Sequence, residues 1–236
     1  MQSIHERYVQ VNENIRSAAT LAGRNTQDIQ LVVVTKTHPI ARIVEAYQAG
    51  ARNFGENYVE TAIPKISELD LPGVKWHMIG HIQSRKTSEV AKWFQFVHSI
   101  DRYKIARRIN SALEGQGRQL PVLLECNVSG EETKYGWSAW LESGWESLAD
   151  EIQPILTLPN LRVQGLMTMA PYSDFPEDAR PYFRKLNRLR MFLIDKFPNN
   201  DWQHLSMGMS GDYMVAIEEG ATILRVGTAI MGERES

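Results

Sequence analysis

Short apolar runs alternate with amphipathic stretches along almost the whole chain. The first stretch reads as a helix: Ile4, Tyr8, Val11, Ile15, Ala18 and Leu21 recur at steps of three and four, and Gly23 stops it. After it, runs of strand character begin near Gln30 (QLVVVT), Arg52 (RNFGEN), Lys75 (KWHMIG), Gln95 (QFVHSI), Pro121 (PVLLECNV), Leu161 (LRVQGLMTM), Trp202 (WQHLSMG) and Thr222 (TILRVG). Their starts lie 20 to 41 residues apart, about the length of a βαβ unit. Helical patterns such as IARIVEAYQAG, YKIARRINSALEGQG and PYFRKLNRLRMFLIDKF fill the intervals. Most runs are continuously apolar rather than alternating, as parallel strands covered on both faces require. The pattern predicts an α/β fold: a single (β/α)8 barrel of the TIM type with an extra N-terminal helix. An open doubly wound sheet produces the same local pattern, usually with fewer strands. The polar interruptions at 129–137 and 170–178 are too short to separate domains, so residues 1–236 are expected to form one domain.

Composition narrows the function classes. A net charge of −2 and a pI near 6.3 give no global attraction to nucleic acid or to an anionic membrane. No apolar run approaches the roughly 20 residues of a membrane span, and the polar N-terminus lacks a secretory h-region. A lone cysteine, Cys126, forms no intramolecular disulfide and reads as a buried small hydrophobe, which favours a reducing, cytoplasmic setting. The cations Arg180, Arg184, Lys185, Arg188 and Arg190 share a helix with Tyr182, Phe183, Leu186, Leu189, Phe192 and Leu193, so a solvated outer face accounts for them.

Polar and cationic residues collect one step beyond the strands: Lys36, Glu56, Asn57, His81, Asp101, Asn127, Met167, Met169, Ser206 to Ser210, Arg225, Gly227 and Thr228. In a barrel these ends form the rim where chemistry is done. The loops after the last two strands, SMGMSGDY and RVGT, offer glycines and hydroxyls suited to an anion, and barrels often bind phosphate there. Lys36 follows LVVVT directly. An inward lysine at a barrel mouth is costly unless paired or neutral, and a neutral amine attacks carbonyls. A phosphorylated aldehyde such as pyridoxal 5′-phosphate satisfies both the amine and the phosphate loops. An ion pair between Lys36 and Glu56 or Asp101 explains the lysine equally well.

The motifs VVVTKTHP, GARNFGENYVE, WHMIGHIQSRK, NVSGEETKYG, GLMTMAP, LSMGMSGDY and LRVGTAIMGER, in this order, resemble the YggS/PROSC family of pyridoxal-phosphate-binding proteins over nearly the whole chain. The resemblance implies the barrel fold of alanine racemase and a covalent aldimine between the cofactor and Lys36. It implies Ser206, Gly208, Ser210, Gly227 and Thr228 at the phosphate, Asn57 and Met167 at the ring, and Arg225 at the pyridine nitrogen. A guanidinium stays protonated there and so favours the neutral ring nitrogen, weakening the cofactor as an electron sink. Arg85 departs from the small polar residue of many relatives, without touching those positions.

The implied function is intracellular vitamin B6 and amino-acid homeostasis by a monomer that binds pyridoxal phosphate, without strong turnover and with no catalytic residue assigned. Apo forms of enzymes using this cofactor are its candidate partners, with no nucleic acid and no membrane. The alternative is a small racemase with Lys36 as its base. Alanine racemase draws a second base, a tyrosine, from a β domain expected to be absent from a chain ending at Ser236; Tyr58 and Tyr213 read as helical and Tyr135 as a loop residue. A metal-dependent hydrolase reading rests on His77, His81, His98, His204 and Asp101. On a strand, His77 and His81 stand about 13 Å apart, too far to share one ion, so no metal is assigned.

Overall fold

Each run of strand character forms a parallel strand, and the strands close on themselves. The computed structural model describes residues 2–233; Arg234, at the end of the last family-like motif, and the outer limits of the 1–236 domain lie outside them. The strands are β1 (Gln30–Val34), β2 (Asn53–Glu56), β3 (Lys75–Met78), β4 (Phe96–Ile100), β5 (Leu120–Asn127), β6 (Trp137–Ser138), β7 (Leu161–Met167), β8 (His204–Ser206) and β9 (Ile223–Val226). Their order is β4-β3-β2-β1-β9-β8-β7-β5, and β4 pairs with β5 to close an eight-stranded parallel barrel. Around it stand α2 (Ile40–Gln48), α3 (Val59–Glu68), α4 (Thr87–Trp93), α5 (Tyr103–Ala112), α6 (Trp145–Leu156), α7 (Arg180–Lys196), α8 (Tyr213–Glu218) and α9 (Thr228–Met231). The extra N-terminal helix is α1 (Ile4–Leu21).

The ninth strand, β6, falls where the sequence reads as a polar loop. It pairs Trp137 and Ser138 with Cys126 and Asn127 at the end of β5. Gly136 allows that approach: its φ is +113°, and a Cβ there would lie 2.8 Å from Glu125 O. The N-terminal helix starts with a reciprocal cap between Ser3 and Glu6 and buries Ile4, Val11, Ile15, Ala18 and Ala19. Leu21 departs from the expected stripe: it is 88% exposed, because Ala19 takes the inward place in the last turn.

Strand alternation divides the apolar residues into two cores. Val33, Phe54, Trp76, Met78, Val97, Val122, Leu124, Leu166, Leu205, Leu224 and Val226 face the helices. Their neighbours Val32, Phe96, Leu123, Met167 and Ile223 form a separate small cluster inside the barrel. By the same parity Asn53, His77, His98, Glu125, Ser206 and Arg225 also point inward. On the outer surface the α7 cations are matched by carboxylates: Arg180 meets Glu177, Glu218 and Glu219, Arg184 meets Glu219, and Arg188 meets Glu142.

Candidate cofactor site at the barrel rim

Lys36 lies in the turn just past β1, half-buried. The next residue, Thr37, has φ +67°, a left-handed conformation costly for a β-branched side chain. The peptide before Lys36 is fixed from several sides. Thr35 N–H donates to Gly55 O at 3.0 Å, and His38 N–H donates to Thr35 O at 3.1 Å. Lys65 Nζ, from α3, donates to Thr35 O at 2.9 Å and to Glu56 Oε1 at 2.8 Å, while Thr35 Oγ1 donates to the same carboxylate oxygen at 2.8 Å. Glu56 and Lys65 are therefore a buried ion pair. Glu56, expected as a possible mate for Lys36, has Lys65 as its charged partner; Asp101, the other, meets Arg102 at 2.6 Å and His81 at 3.0 Å.

Next along the rim, Asn57 follows β2. Its Oδ1 is buried and has no hydrogen-bond partner among the described residues. Gly80 packs against the Asn57 backbone so closely that a Cβ would stand 2.2 Å from Asn57 O. On the other side of β1, Arg225 of β9 pairs in register with Val32. Only 4% of it is exposed, which excludes a surface ion pair. Its Nη1 donates to Ser206 Oγ at 2.6 Å and its Nη2 to Thr168 O at 2.8 Å. Burial lowers its guanidinium to about 10, opposed by the charges of Asp212 and Glu125, so it stays a cation at neutral pH.

The loops after β8 and β9 meet at Ser210. Its Oγ accepts from Gly227 N–H and Ala229 N–H, both at 3.3 Å, so two backbone donors converge on one oxygen. Gly208, at φ +92°, is packed so tightly on Ala216 and Tyr213 that no side chain fits. Its carbonyl accepts from Arg225 N–H, tying the loop after β8 to β9. Gly227 is half-buried, and Thr228, exposed, begins α9. Ser206 is placed differently from the other expected phosphate contacts. It is fully buried on β8, and its hydroxyl meets Arg225 and His98, so it lies beneath the guanidinium rather than in the loop. Met167, fully buried, belongs to the apolar cluster inside the barrel and forms part of the floor.

One buried group at the site, Glu125, was not singled out from the sequence. Glu125, inward on β5 and 4% exposed, has a buried Oε2 without a hydrogen bond among the described residues. Burial, then the charge of Asp101, raises its carboxyl to about 7, with Arg225 opposing. The signal was a charge inside the apolar run PVLLECNV, the same anomaly that marks Lys36. Tyr135 stacks on His81 with ring centres 3.8 Å apart, at an exposed edge. Tyr213 is buried on α8, its hydroxyl accepting from Asn14 Nδ2 at 3.0 Å, and Tyr58 immediately precedes α3. His77 sits within β3, whereas His81 lies beyond it. Among the described residues no group of three or more His, Cys, Asp or Glu is placed to hold a metal ion, and no helix is long and apolar enough to cross a membrane.

These residues fit a pyridoxal phosphate: an amine at a strained turn, an unpaired amide oxygen, a fixed guanidinium and converging N–H groups. The alanine racemase N-terminal domain model matches residues 8–235. A pyridoxal phosphate homeostasis protein of Vibrio alginolyticus is 41% identical over 241 residues, covering 100% of this chain and 99% of the other. One from Pseudomonas aeruginosa is 43% identical, covering 100% and 97%. Among solved structures, PipY of Synechococcus elongatus with pyridoxal phosphate bound has a TM-score of 0.82 at 33% identity, covering 98% of this chain and 100% of that one. Alanine racemase of Clostridium difficile shares the fold, with a TM-score of 0.68 at 15% identity and 56% of its chain covered. The chain thus belongs to the alanine racemase N-terminal domain family, among the pyridoxal phosphate homeostasis proteins of the YggS/PROSC type.

Proposed function

We propose that the rim binds pyridoxal 5′-phosphate as a Schiff base on Lys36 and that the protein, a cytoplasmic monomer built as one domain, serves vitamin B6 and amino-acid homeostasis. The observation that carries the reading is the joint placement of Lys36 and Asn57 just past the ends of β1 and β2 and of Arg225 inside the adjacent strand β9. Full-length relatives named for this role, and PipY with the cofactor bound, support it. In this reading Asn57 offers its unpaired Oδ1 at the ring edge, Met167 supports the ring from below, and Arg225 meets the ring nitrogen. Gly208, Ser210, Gly227 and Thr228 surround the phosphate, whose oxygens accept from the N–H groups now converging on Ser210. Ser206 contributes through Arg225.

When bound, the group supplies a reactive aldehyde and an electron-accepting ring. Arg225 keeps its proton and donates toward the ring nitrogen, which suits holding the cofactor more than carbanion chemistry. Reversible attachment at Lys36 is all that exchange with apo-enzymes requires.

Borohydride treatment of the purified, loaded protein followed by peptide mass mapping tests this directly. A yellow band that borohydride removes, with a pyridoxyl-phosphate mass on the peptide containing Lys36 and none in Lys36→Ala, is the expected result. A protein that stays colourless with added cofactor overturns it. Racemisation of added amino acids by the loaded protein would give Lys36 the role of a base instead.

A further inference from the structure

Two histidines lie inside the barrel beneath the rim, and the binding reading gives them no part. His98 Nδ1 is 2.9 Å from Ser206 Oγ, and His98 Nε2 is 3.0 Å from His77 Nδ1. His77 Nε2 is 3.2 Å from Asn53 Oδ1. With the 2.6 Å bond from Arg225 Nη1 to Ser206 Oγ, side chains from β9, β8, β4, β3 and β2 form one file of hydrogen bonds through the barrel. Ser206, His98 and His77 have no exposure at all. Phe96 of the inner apolar cluster stacks on His77 and meets His98 edge-on, fixing both ring planes.

The direction of the hydrogens is set at His77 Nε2, where two groups compete: Asn53 Oδ1, an acceptor, at 3.2 Å and Gln30 Nε2, a donor, at 3.4 Å. The shorter contact gives Nε2 the hydrogen; a neutral imidazole has one N–H, so His77 Nδ1 accepts. Its donor is then His98 Nε2–H, which leaves His98 Nδ1 to accept from the Ser206 hydroxyl. With its hydrogen spent, Ser206 Oγ turns only lone pairs toward Arg225. The reverse order would set the ring nitrogens as donors toward Ser206 and leave its hydrogen idle. Both rings are held neutral. Burial first, then the charges of Lys75 and His204, lowers His77 to about 3. Burial, then His77, Arg225 and His204, pushes His98 well below the ordinary histidine range. The other groups facing the pair are uncharged: Asn53, Ser206, Phe96 and Gln30, whose Nε2 is 3.4 Å from His77 Nε2.

We infer that His98, oriented by His77 and acting through Ser206, positions Arg225 so that its remaining donors face the cofactor's ring nitrogen. A guanidinium has five N–H groups. The side-chain bonds to Ser206 and Thr168 occupy two, and three remain. A donor held this way needs no reorganisation when the ring arrives, which is where preorganisation raises affinity. His98 and His77 are thus positioning residues, two and three hydrogen bonds removed from Arg225. The inference rests on the assignment of Arg225 to the ring nitrogen made above.

The test compares binding of pyridoxal phosphate and of its 1-deaza analogue, in which carbon replaces the ring nitrogen, to wild type, His98→Leu and His98→Asn. Wild type is expected to prefer pyridoxal phosphate. His98→Leu should weaken pyridoxal phosphate binding by about tenfold, the scale of one hydrogen bond to a charged group, and leave the analogue unchanged. His98→Asn, whose amide oxygen accepts from Ser206 as Nδ1 does, should stay within about threefold of wild type, on the same reasoning. An equal loss for both ligands in His98→Leu makes the histidine a packing residue and overturns the inference. A wild type that binds both ligands equally removes the Arg225 assignment instead. Should His98→Leu fail to fold, imidazole 15N shifts of the wild-type protein decide: Nε2–H tautomers on both rings support the file, and an Nδ1–H tautomer on His98 overturns it.

Discussion

The lower and upper parts of the barrel interior treat polar groups in opposite ways. Below, Arg225, Ser206, His98, His77 and Asn53 are linked by bonds no longer than 3.2 Å, with Phe96 packed against both imidazoles. Above, Asn57 Oδ1 and Glu125 Oε2 are buried and unbonded among the described residues. A buried polar atom without a partner costs about 1–3 kcal/mol, so folds rarely leave two at one end of a barrel for nothing. Complete pairing below reads as structure and orientation; missing pairing above reads as room for a ligand's polar atoms.

The strongest way to break this contrast is to create an unpaired charge at the rim. Lys65 Nζ is the charged partner of Glu56, and both are buried. Lys65→Met should cost about 3–5 kcal/mol, the usual effect of stranding one member of a buried pair. Chemical denaturation measures it. Adding Glu56→Gln should recover a large part, and if it does not, packing rather than charge holds this corner together. Lys65 also donates to Thr35 O, next to Lys36, so the single variant should weaken cofactor retention too.

Glu125 sharpens the contrast through pH. Its folded carboxyl is raised to about 7 from 4.5, chiefly by burial. The folded state therefore binds this proton more tightly than the unfolded chain does. The resulting stability is fully present below about pH 4.5 and is lost as pH rises through about 7. Glu125→Gln removes the term. The variant should gain on wild type by about 3 kcal/mol between pH 4.5 and 8, at 1.36 kcal/mol per unit. Urea midpoints across that range test it, and parallel curves for the two proteins would show that Glu125 titrates normally. The histidines work the other way: protons that the unfolded chain accepts below about pH 6.5 are refused by buried His77 and His98, so acid destabilises the fold.

How much of this was visible in the sequence depends on the period of the signal. The strand runs and the α1 stripe repeat, so the barrel and its rim could be read from them, and Lys36 and Glu125 each stand out as a charge against an apolar run. Two-residue β6 carries no period, and only the close approach at Gly136 specifies it. Alternation along β3 and β4 is enough to send His77 and His98 inward. It says nothing of which inward groups meet, because β3, β4, β8 and β9 converge only after the ring has closed. For the same reason Ser206 read as one more loop hydroxyl beside Ser210. Their difference is one of depth: Ser206 ends a strand inside the barrel, and Ser210 lies in the turn above it.

The smallest effect on the fold should come from Asn57→Ala, and that is its value. A residue that serves the fold loses stability when truncated; one that serves a ligand loses affinity. Asn57 Oδ1 has no bond to lose among the described residues, and deleting a buried unpaired acceptor relieves its desolvation. Thermal unfolding without cofactor should therefore stay within about 0.5 kcal/mol of wild type, as for substitutions away from any bonded feature. Pyridoxal phosphate affinity should fall about tenfold, since one hydrogen bond to the ring is worth on the order of 1.4 kcal/mol. If stability falls as much as affinity, the amide supports the Gly80 contact and the rim is less open than its unpaired oxygens imply. If affinity alone falls, the unpaired oxygen above and the paired file below are two parts of one site, the first meeting the cofactor and the second aiming Arg225 at it.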